Sequence, residues 1–136
     1  MLSKKTKYGL KALSYLAKQE QNVPVLISDI STSENISKKF LESILLTLKK
    51  AGILSSKKGK GGGYYLLKKP IEIKISTIIR LLEGPIAMLP CVSLNYYEKC
   101  DDCISEESCS LNNLMVEVRD SMLKILENKT LADFHC

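Results

Sequence analysis

The sequence has little histidine and no long apolar run, and each shortage excludes a class of function. Its 136 residues include a single histidine, His135, beside the last residue. No Ser, His and Asp cluster is visible, so hydrolysis and other acid–base catalysis have little support. No apolar run approaches the roughly 20 residues that cross a bilayer, and the first ten residues lack the apolar core of a signal peptide. We expect a cytoplasmic protein that is not an enzyme, with His135 in a frayed tail.

The five cysteines do not suit a framework of paired disulfides, because five is an odd number. In the cytoplasm these thiols are kept reduced. Four of them fall within one short acidic segment, at Cys91, Cys100, Cys103 and Cys109. Cys136 stands apart from this group, and we assign it no role.

Charge divides the chain into two unlike halves. Residues 1–80 carry 16 Lys/Arg and 5 Asp/Glu, a net charge of +11, whereas residues 81–136 carry 4 and 10, a net charge of −6. The hydrophobic content of 45% is typical of a globular domain. A basic half implies a polyanionic partner such as nucleic acid or an anionic membrane, although a solvated lysine-rich surface is the plainer alternative.

Three helices with short connections are predicted in the basic half. The first covers residues 6–19 with Thr6 as its cap, and the second covers residues 25–30 and exits through residues 31–33. The third starts at Asn35 or Ser37 and ends near Gly52, a natural C-terminal stop. Its buried face is marked by apolar residues spaced by three and four: Ile36, Phe40, Leu41, Ile44, Leu45 and Leu48. Helix, short helix, turn and helix form the pattern of a helix-turn-helix.

A glycine-rich hairpin follows directly. Strands at residues 53–56 and 64–67 flank the segment 57–63, KKGKGGG. A hairpin immediately after a helix-turn-helix is a wing. The rival interpretation is a phosphate-cradling loop, but this segment leads into a strand and not into a helix N-terminus, so the usual phosphate-binding geometry is missing.

The acidic half is predicted to contain two more helices. A fourth, residues 76–83, is capped by Ser76 and closed by Gly84 and Pro85. A last helix, from about residue 109 to 127, carries one continuous apolar stripe: Leu111, Leu114, Met115, Val118, Met122, Ile125 and Leu126. The predicted fold is mainly α, a winged helix-turn-helix with a two-stranded wing and a long C-terminal dimerisation helix.

Two sets of residues are candidates for DNA contact. In a helix-turn-helix the second helix enters the major groove by its N-terminal residues, where lysines suit phosphates or guanine edges and a glutamate can accept from a cytosine amino group. A basic wing tip can reach phosphates or the minor groove. The candidates are Lys38, Lys39, Glu42 and Ser43 on the third helix and Lys57, Lys58, Lys60, Gly61 and Gly62 on the wing. The plainer alternatives are an amphipathic surface helix and a flexible basic loop.

The chain resembles the Rrf2 family of bacterial transcription regulators over nearly its whole length. The resemblance is carried by ISKKFLESILLTLKKAGILSSKKGKGGGYYLLKKP, by ISTIIRLLEG, and by the cysteine loop ahead of a long helix. It implies a dimer whose last helix crosses its partner and whose wing enters the minor groove. Family members commonly carry arginine where this chain has Lys58 and proline where it has Lys60. Lysine lacks the planar fork of arginine, which makes a narrow-groove contact weaker or less selective.

The cysteine spacing, Cys91-x8-Cys100-x2-Cys103-x5-Cys109, suits zinc or an iron–sulfur cluster, because both take closely spaced soft thiolates. Incidental buried cysteines are the alternative, but CDDCISEESC is a charged segment. A third possibility is metal-free oxidation to a reversible disulfide. Neighbouring acidic residues disfavour free thiolates and so count against that switch.

The resemblance implies an iron–sulfur cluster, [2Fe–2S] or [4Fe–4S], held by Cys91, Cys103 and Cys109. This chain departs from the pattern at the fourth ligand. One cluster-binding relative has a histidine where this chain has Asn112, and others take an acidic residue from the partner subunit where this chain has Lys7. Cys100 is then the candidate fourth ligand, and an all-thiolate site within one subunit also suits zinc.

These observations predict a dimeric DNA-binding regulator, repressor or activator, on a palindromic operator. Residues 1–83 form the DNA-binding domain, residues 84–109 the sensor loop, and residues 110–136 the dimerisation helix and tail. A catalytic redox protein using Cys100 and Cys103 lacks the βαβ pattern and the thiolate-stabilising charge that such enzymes have. A structural zinc adaptor without DNA contacts leaves the basic half unexplained.

Overall fold

Ser3, and not Thr6, is the N-cap residue of the first helix. In this computed structural model, which describes residues 2–134, helix α1 runs over Lys4–Ala17, whereas the sequence predicts residues 6–19. The Ser3 hydroxyl oxygen accepts a hydrogen bond from the Thr6 backbone N–H at 3.3 Å, and Thr6 is fully buried. An N-cap side chain satisfies an amide two or three residues further on. The prediction that Thr6 caps the helix is therefore wrong, because Thr6 supplies the amide that is capped.

Helix α2, Ile27–Glu34, continues beyond its predicted end. The prediction that the chain leaves the helix at residues 31–33 is wrong, because the turn is made by Asn35 at a φ of 54°. Asparagine adopts this left-handed conformation more readily than most residues. The Ser31 hydroxyl donates to the Ile36 carbonyl at 2.6 Å and stabilises the turn into the next helix.

Helix α3, Lys38–Lys50, begins at the predicted cap, since the Ser37 hydroxyl oxygen accepts from the Phe40 backbone N–H at 3.2 Å. The predicted buried face is confirmed except at Phe40, which is 38% exposed. Phe40 lies at the rim of that face, edge-on to Tyr8 with ring centroids 5.7 Å apart. The fully buried members of the face are Leu41, Ile44, Leu45 and Leu48.

The wing is confirmed as an antiparallel pair. Strand β1, Leu54–Lys57, pairs with β2, Gly63–Leu66, with Leu54 opposite Leu66 and Lys57 opposite Gly63. Val25 and Tyr64 form an isolated bridge with N–H···O distances of 2.8 Å in both directions. The base of the wing is therefore attached to the segment that leads into α2.

Helix α4, Ile75–Leu82, packs against both α1 and the long helix α5, Ser110–Glu127. The prediction that Ser76 caps α4 is wrong. Ser76 lies inside the helix, where its buried hydroxyl has no hydrogen-bond partner among the described residues. The start of α4 is held instead by the segment after α5, because the Ile75 N–H donates to the Lys129 carbonyl at 3.0 Å.

The core joins all of these elements, and the predicted mainly α winged helix-turn-helix is confirmed. Residues after α5 complete it: Leu131 is 1% exposed, and its N–H donates to the Ile73 carbonyl at 2.9 Å. Within residues 2–134 no helix combines the length and the apolar character that a membrane crossing requires. His135, predicted as part of a frayed tail, and Cys136, which has no assigned role, lie outside the described residues.

Candidate DNA-binding surface and cysteine site

The four candidates on α3 lie together in its first two turns. Lys38, Lys39, Glu42 and Ser43 are all exposed, on the side opposite the buried leucines. The Ser43 hydroxyl donates to the Phe40 carbonyl at 2.9 Å, which leaves its oxygen free to accept from a ligand. This edge of the helix presents two ammonium groups and one carboxylate on a backbone that the core holds in place.

The wing presents its lysines to solvent on a tight turn. Lys57, Lys58 and Lys60 are exposed, as is Gly61. Gly62 is buried, and its N–H donates to the Gly59 carbonyl at 3.0 Å. A Cβ on Gly62 would lie 2.2 Å from the Lys57 carbonyl oxygen, so this residue shapes the turn from inside.

Gly63 fixes where the wing joins the rest of the domain. Its φ is +144°, and a Cβ there would lie 2.2 Å from the Val25 carbonyl oxygen. That oxygen accepts the Tyr64 N–H. Only glycine allows this approach of two backbones together with this conformation. The glycine-rich segment thus orients the wing as well as turning it.

Cys91, Cys100, Cys103 and Cys109 converge on one cavity. It has a volume of about 200 Å³, and all four thiols are free. Cys91 is 8% exposed, and the other three are partly buried. The remaining lining residues are Leu89, Asp102, Leu111 and Asn112. Sequence spacing alone groups these cysteines, and the fold brings their thiols to the same space.

Two of the thiols are fixed by helix α5. Cys109 is the N-cap residue, and its Sγ accepts from the Asn112 backbone N–H at 3.4 Å. The Asn112 side-chain amide donates to Cys91 Sγ, also at 3.4 Å. From the sequence, Asn112 stands out only because it occupies the place where a cluster-binding relative has a histidine. The structure places it between the first and the last cysteine.

The segment that carries Cys91 is also held from further along α5. Cys91 lies in a short 3₁₀ turn, Pro90–Val92. The Arg119 guanidinium donates to the Val92 carbonyl at 2.8 Å and contacts the Asp120 carboxylate at 2.8 Å. The sequence gives no signal for this contact, because nothing local links Arg119 to a residue 27 positions earlier.

Two side-chain interactions lie in the middle of the loop. The neighbouring Cys91 thiol, together with partial burial, raises the pKa of the Cys100 thiol. The other interaction is a hydrogen bond that the Tyr97 hydroxyl donates to the Glu106 carboxylate, and it raises the pKa of Tyr97 to about 12. The tyrosine–glutamate contact spans the part of the loop that contains Cys100 and Cys103.

Four soft thiol donors around one cavity are a chemically suitable ligand set for zinc or for an iron–sulfur cluster. Within residues 2–134, however, no three His, Cys, Asp or Glu side chains are already grouped as metal ligands. The donor set therefore fits such a group in chemistry and location, and binding it would draw the thiols closer together.

Helix α5 leaves part of its apolar stripe exposed. Leu111, Leu114 and Ile125 are 54%, 51% and 61% exposed, the other four residues of the stripe are half-buried, and Leu123 is the one buried apolar residue of the helix. Beside the stripe lies an open apolar cavity of about 430 Å³ between α4, α5 and the segment that follows α4. Its lining includes Leu2, Ile79, Ile86, Met88, Met122 and Ile125.

Known proteins resemble the chain over its whole length. The family model Rrf2, described as an iron-dependent transcriptional regulator, matches residues 2–136. An rrf2-like HTH-type transcriptional regulator of Rhodobacter capsulatus is 43% identical over an alignment of 136 positions, which covers 98% of this chain and 91% of that protein.

Two solved structures share both the fold and part of the sequence. CymR of Bacillus subtilis, titled the global cysteine regulator of that organism, has a TM-score of 0.80 at 32% identity and covers 98% of this chain and 94% of its own. IscR of T. potens has a TM-score of 0.74 at 32% identity, with 98% and 84% of the two chains covered.

Proposed function

Because this chain belongs to the Rrf2 family of transcriptional regulators, we propose that it binds double-stranded DNA as a cytoplasmic homodimer and that its cysteine site controls the affinity. The observation that carries the proposal is the position of the site. Four thiols line one cavity at the N-terminus of α5, a helix whose apolar face is partly exposed. A change at the thiols acts directly on the helix that would pair with a second copy.

The basic half makes the DNA contacts. Lys38, Lys39, Glu42 and Ser43 enter the major groove, as the N-terminal residues of a recognition helix do. Lys57, Lys58 and Lys60 lie at the phosphates or the minor groove, where the exposed Gly61 allows close backbone approach. Gly62, which the sequence also suggests as a DNA contact, is buried and instead shapes the turn that presents these lysines. Residues 1–83 thus form the DNA-binding domain.

The exposed stripe of α5 supports a symmetric dimer. Contiguous exposed apolar surface on a small protein marks an interaction site, and two-fold dimers are the commonest assembly. Leu111, Leu114 and Ile125 pack against the same helix of a second copy. A two-fold dimer reads a palindromic operator, with two half-sites about one helical turn apart.

Cys91, Cys100, Cys103 and Cys109 hold an iron–sulfur cluster, with zinc as the alternative. A cluster would supply a redox-active group, whereas zinc would supply a fixed structure. On the protein side, the loop at residues 84–109 joins α4 to α5. Drawing the four thiols together shortens this loop, and the Arg119 contact with the Val92 carbonyl passes the change to α5. The spacing of the two recognition helices then changes, and DNA affinity changes with it.

A comparison of protein that carries the bound group with protein from which it has been removed tests the cofactor and its control of DNA affinity separately. We expect anaerobically purified protein to contain iron and sulfide, to absorb visible light, and to differ at least tenfold from stripped protein in operator affinity by gel shift. Cys103→Ser should lose the absorbance and behave as stripped protein. Equal DNA affinity in both states would contradict the sensor hypothesis but not the DNA-binding function. Zinc without iron in the purified protein would favour the structural zinc site over the cluster.

DNA contact by the wing has its own test. Lys58→Ala should reduce the slope of log K against log salt by about 0.9 if it removes one phosphate contact. Lys124→Ala is the matched control, an exposed lysine on α5. Fluorescence anisotropy across a salt series measures both, and an unchanged slope for Lys58→Ala would place the wing away from DNA.

A metal-free thiol switch is the second candidate, favoured by the free thiols of Cys91 and Cys100, which line the same cavity. Oxidation by a peroxide would join the two sulfurs, with two electrons and two protons passing to the peroxide to give water. Purified protein with neither iron nor zinc, and with a Cys91–Cys100 disulfide found by mass spectrometry, would support this candidate over the cluster.

A further inference from the structure

Asn112 is the one buried polar residue on the face that α5 turns toward the cysteines. It lies in the first turn of the helix and is 8% exposed, whereas its neighbour Asn113 is exposed to solvent. Burying an amide costs free energy unless it is hydrogen-bonded. Its position therefore depends on the partners that it finds in the cavity.

Both partners are cysteine sulfurs. The Asn112 side-chain amide donates to Cys91 Sγ at 3.4 Å, and its backbone N–H donates to Cys109 Sγ at 3.4 Å. These two cysteines are the first and the last of the four. A single residue thus links the two ends of the cysteine segment to one point on α5.

A second contact keeps Cys91 beside Asn112. The Val92 carbonyl accepts from Arg119, seven residues or about two turns further along α5. The short turn that carries Cys91 is therefore attached to α5 at two consecutive residues, Cys91 and Val92. Cys100 and Cys103 have no hydrogen bond from α5 among the described side chains, and they lie on the loop facing these two anchored thiols.

The strength of an N–H···S contact depends on the charge of the sulfur. A neutral thiol is a weak acceptor, whereas a thiolate accepts a charge-assisted hydrogen bond that is about twice as strong. Binding a soft cation requires the thiols to lose their protons. The two contacts from Asn112 are therefore stronger in the loaded site than in the empty one.

We propose that Asn112 is the positioning residue of the cysteine site. It holds Cys91 and Cys109 as a prearranged pair and stabilises their metal-bound thiolates. The loop segment that carries Cys100 and Cys103 then completes the site around this pair. This proposal rests on the proposed thiolate-ligated site. It assigns to Asn112 a hydrogen-bonding role toward sulfur and no bond to the metal.

The test compares three full-length variants with the unmodified chain, with Zn²⁺ and Co²⁺ as probes. Asn112→Leu keeps the size of the side chain and removes its donor. Asn112→Gln keeps the amide, and Asn113→Leu is the matched control one position along the helix. Competition with a chromophoric chelator measures Zn²⁺ affinity, and far-UV circular dichroism of the metal-free proteins checks that each is folded.

We expect Asn112→Leu to bind Zn²⁺ about 10- to 100-fold more weakly, the usual effect of removing a hydrogen bond to a metal ligand. Asn112→Gln should recover most of the affinity, and Asn113→Leu should match the unmodified chain. In the Co²⁺ form, loss of the N–H···S bond raises the energy of the sulfur lone pair. The thiolate-to-cobalt charge-transfer band of Asn112→Leu should therefore move to longer wavelength at full occupancy, a shift that a purely structural role would not produce.

The outcomes separate two failures. If the unmodified chain binds Zn²⁺ through thiolates and folded Asn112→Leu matches it in affinity and in cobalt spectrum, Asn112 has no positioning role and the proposed site stands. If the unmodified chain binds neither probe through its cysteines, the thiolate site itself is wrong and this proposal falls with it.

Discussion

The basic and acidic halves of the chain differ in how much of their apolar surface the fold already covers. In α3 the apolar face is fully buried at Leu41, Ile44, Leu45 and Leu48. In α5, which is longer, Leu123 is the one apolar residue that is buried. The same amphipathic pattern thus leads to two outcomes. One helix buries its apolar face within the chain, and the other leaves part of its apolar face exposed.

Their functional side chains differ in the same way. The candidate DNA-binding lysines are exposed on a helix and a hairpin whose backbones are fixed by the core. The cysteines are partly buried, but they lie on a loop with one short 3₁₀ turn between α4 and α5. The first surface is complete in one chain, whereas the second, in the function proposed above, would gain its final form from a bound group and a second copy.

The largest test of this contrast substitutes one leucine in each half. Leu45→Ala should lower the free energy of unfolding by about 2–5 kcal/mol, because it leaves a cavity in the core, and the loss should not depend on protein concentration. Leu114→Ala should cost the isolated chain less than about 0.5 kcal/mol, because Leu114 is 51% exposed. Urea unfolding at several concentrations measures both.

Dimerisation would increase the effect of Leu114→Ala on stability. If α5 pairs with its copy, unmodified protein gains stability as concentration rises, and Leu114→Ala loses part of that gain. Analytical ultracentrifugation should show weaker association for Leu114→Ala and unchanged association for folded Leu45→Ala. A Leu114→Ala loss as large as that of Leu45→Ala at every concentration would break the contrast between the halves.

A smaller effect is expected from glycine substitutions, one in each half. Gly63→Ala places a Cβ 2.2 Å from the Val25 carbonyl oxygen, so the wing must shift and operator affinity should fall at least tenfold. Gly84→Ala, at the start of the cysteine loop, has a φ of +112° and open space around its Cβ. Its cost is backbone strain of about 1–3 kcal/mol, and DNA binding by metal-free protein should change little.

Gel shifts and thermal melts of both variants measure these effects side by side. A Gly63→Ala variant that is folded and binds DNA normally would show that the wing does not need the attachment to Val25. A Gly84→Ala variant that loses DNA binding without metal would show that the loop orients the recognition helices by itself.

Sequence patterns predicted the first half in detail because local rules decide it. Apolar spacing and turn residues placed the helices and the wing within a few positions. The errors lie where two local candidates compete or where long-range packing decides. Ser3 and Thr6 are both capable caps, Phe40 lies at the rim of its face, and Ser76 is buried by contacts that no local pattern records.

Residue type and spacing in the sequence predicted which cysteines belong together, but not which contacts hold them in place. Spacing and residue type grouped the four thiols, and the shared cavity agrees with that grouping, although the metal itself stays a prediction. The contacts of Asn112 and Arg119 were missed because each joins residues more than 20 positions apart. An asparagine in a first helical turn is most often a surface residue, so its type alone does not indicate a role beside sulfur.

The smallest expected effect concerns Glu83, whose side chain joins the end of α4 to the start of α1. Its carboxylate accepts from the Thr6 hydroxyl at 2.5 Å and from the Ser3 hydroxyl and N–H at 2.8 and 3.0 Å. These hydrogen bonds, that of Thr6 first, lower the pKa of Glu83 below its ordinary value. A lowered pKa in the folded state means that this carboxylate stabilises the fold above its unfolded-state pKa of about 4.3, and that the contribution disappears as pH falls through the folded-state value.

Glu83→Gln should therefore lower the melting temperature slightly near pH 7, by less than Gly84→Ala does. The difference from the unmodified chain should shrink below about pH 4.3 and vanish once the carboxyl is protonated in both states. Thr6→Val keeps the shape of Thr6 without its hydroxyl. Introduced into a protein that already carries Thr6→Val, Glu83→Gln should lower the melting temperature by less than it does in the unmodified chain. Calorimetry from pH 3 to pH 7 measures the series. An equal Glu83→Gln effect at every pH would mean that the charge of Glu83 does not hold α1, and the start of the cysteine loop would then be less firmly tied to the DNA-binding half than its contacts indicate.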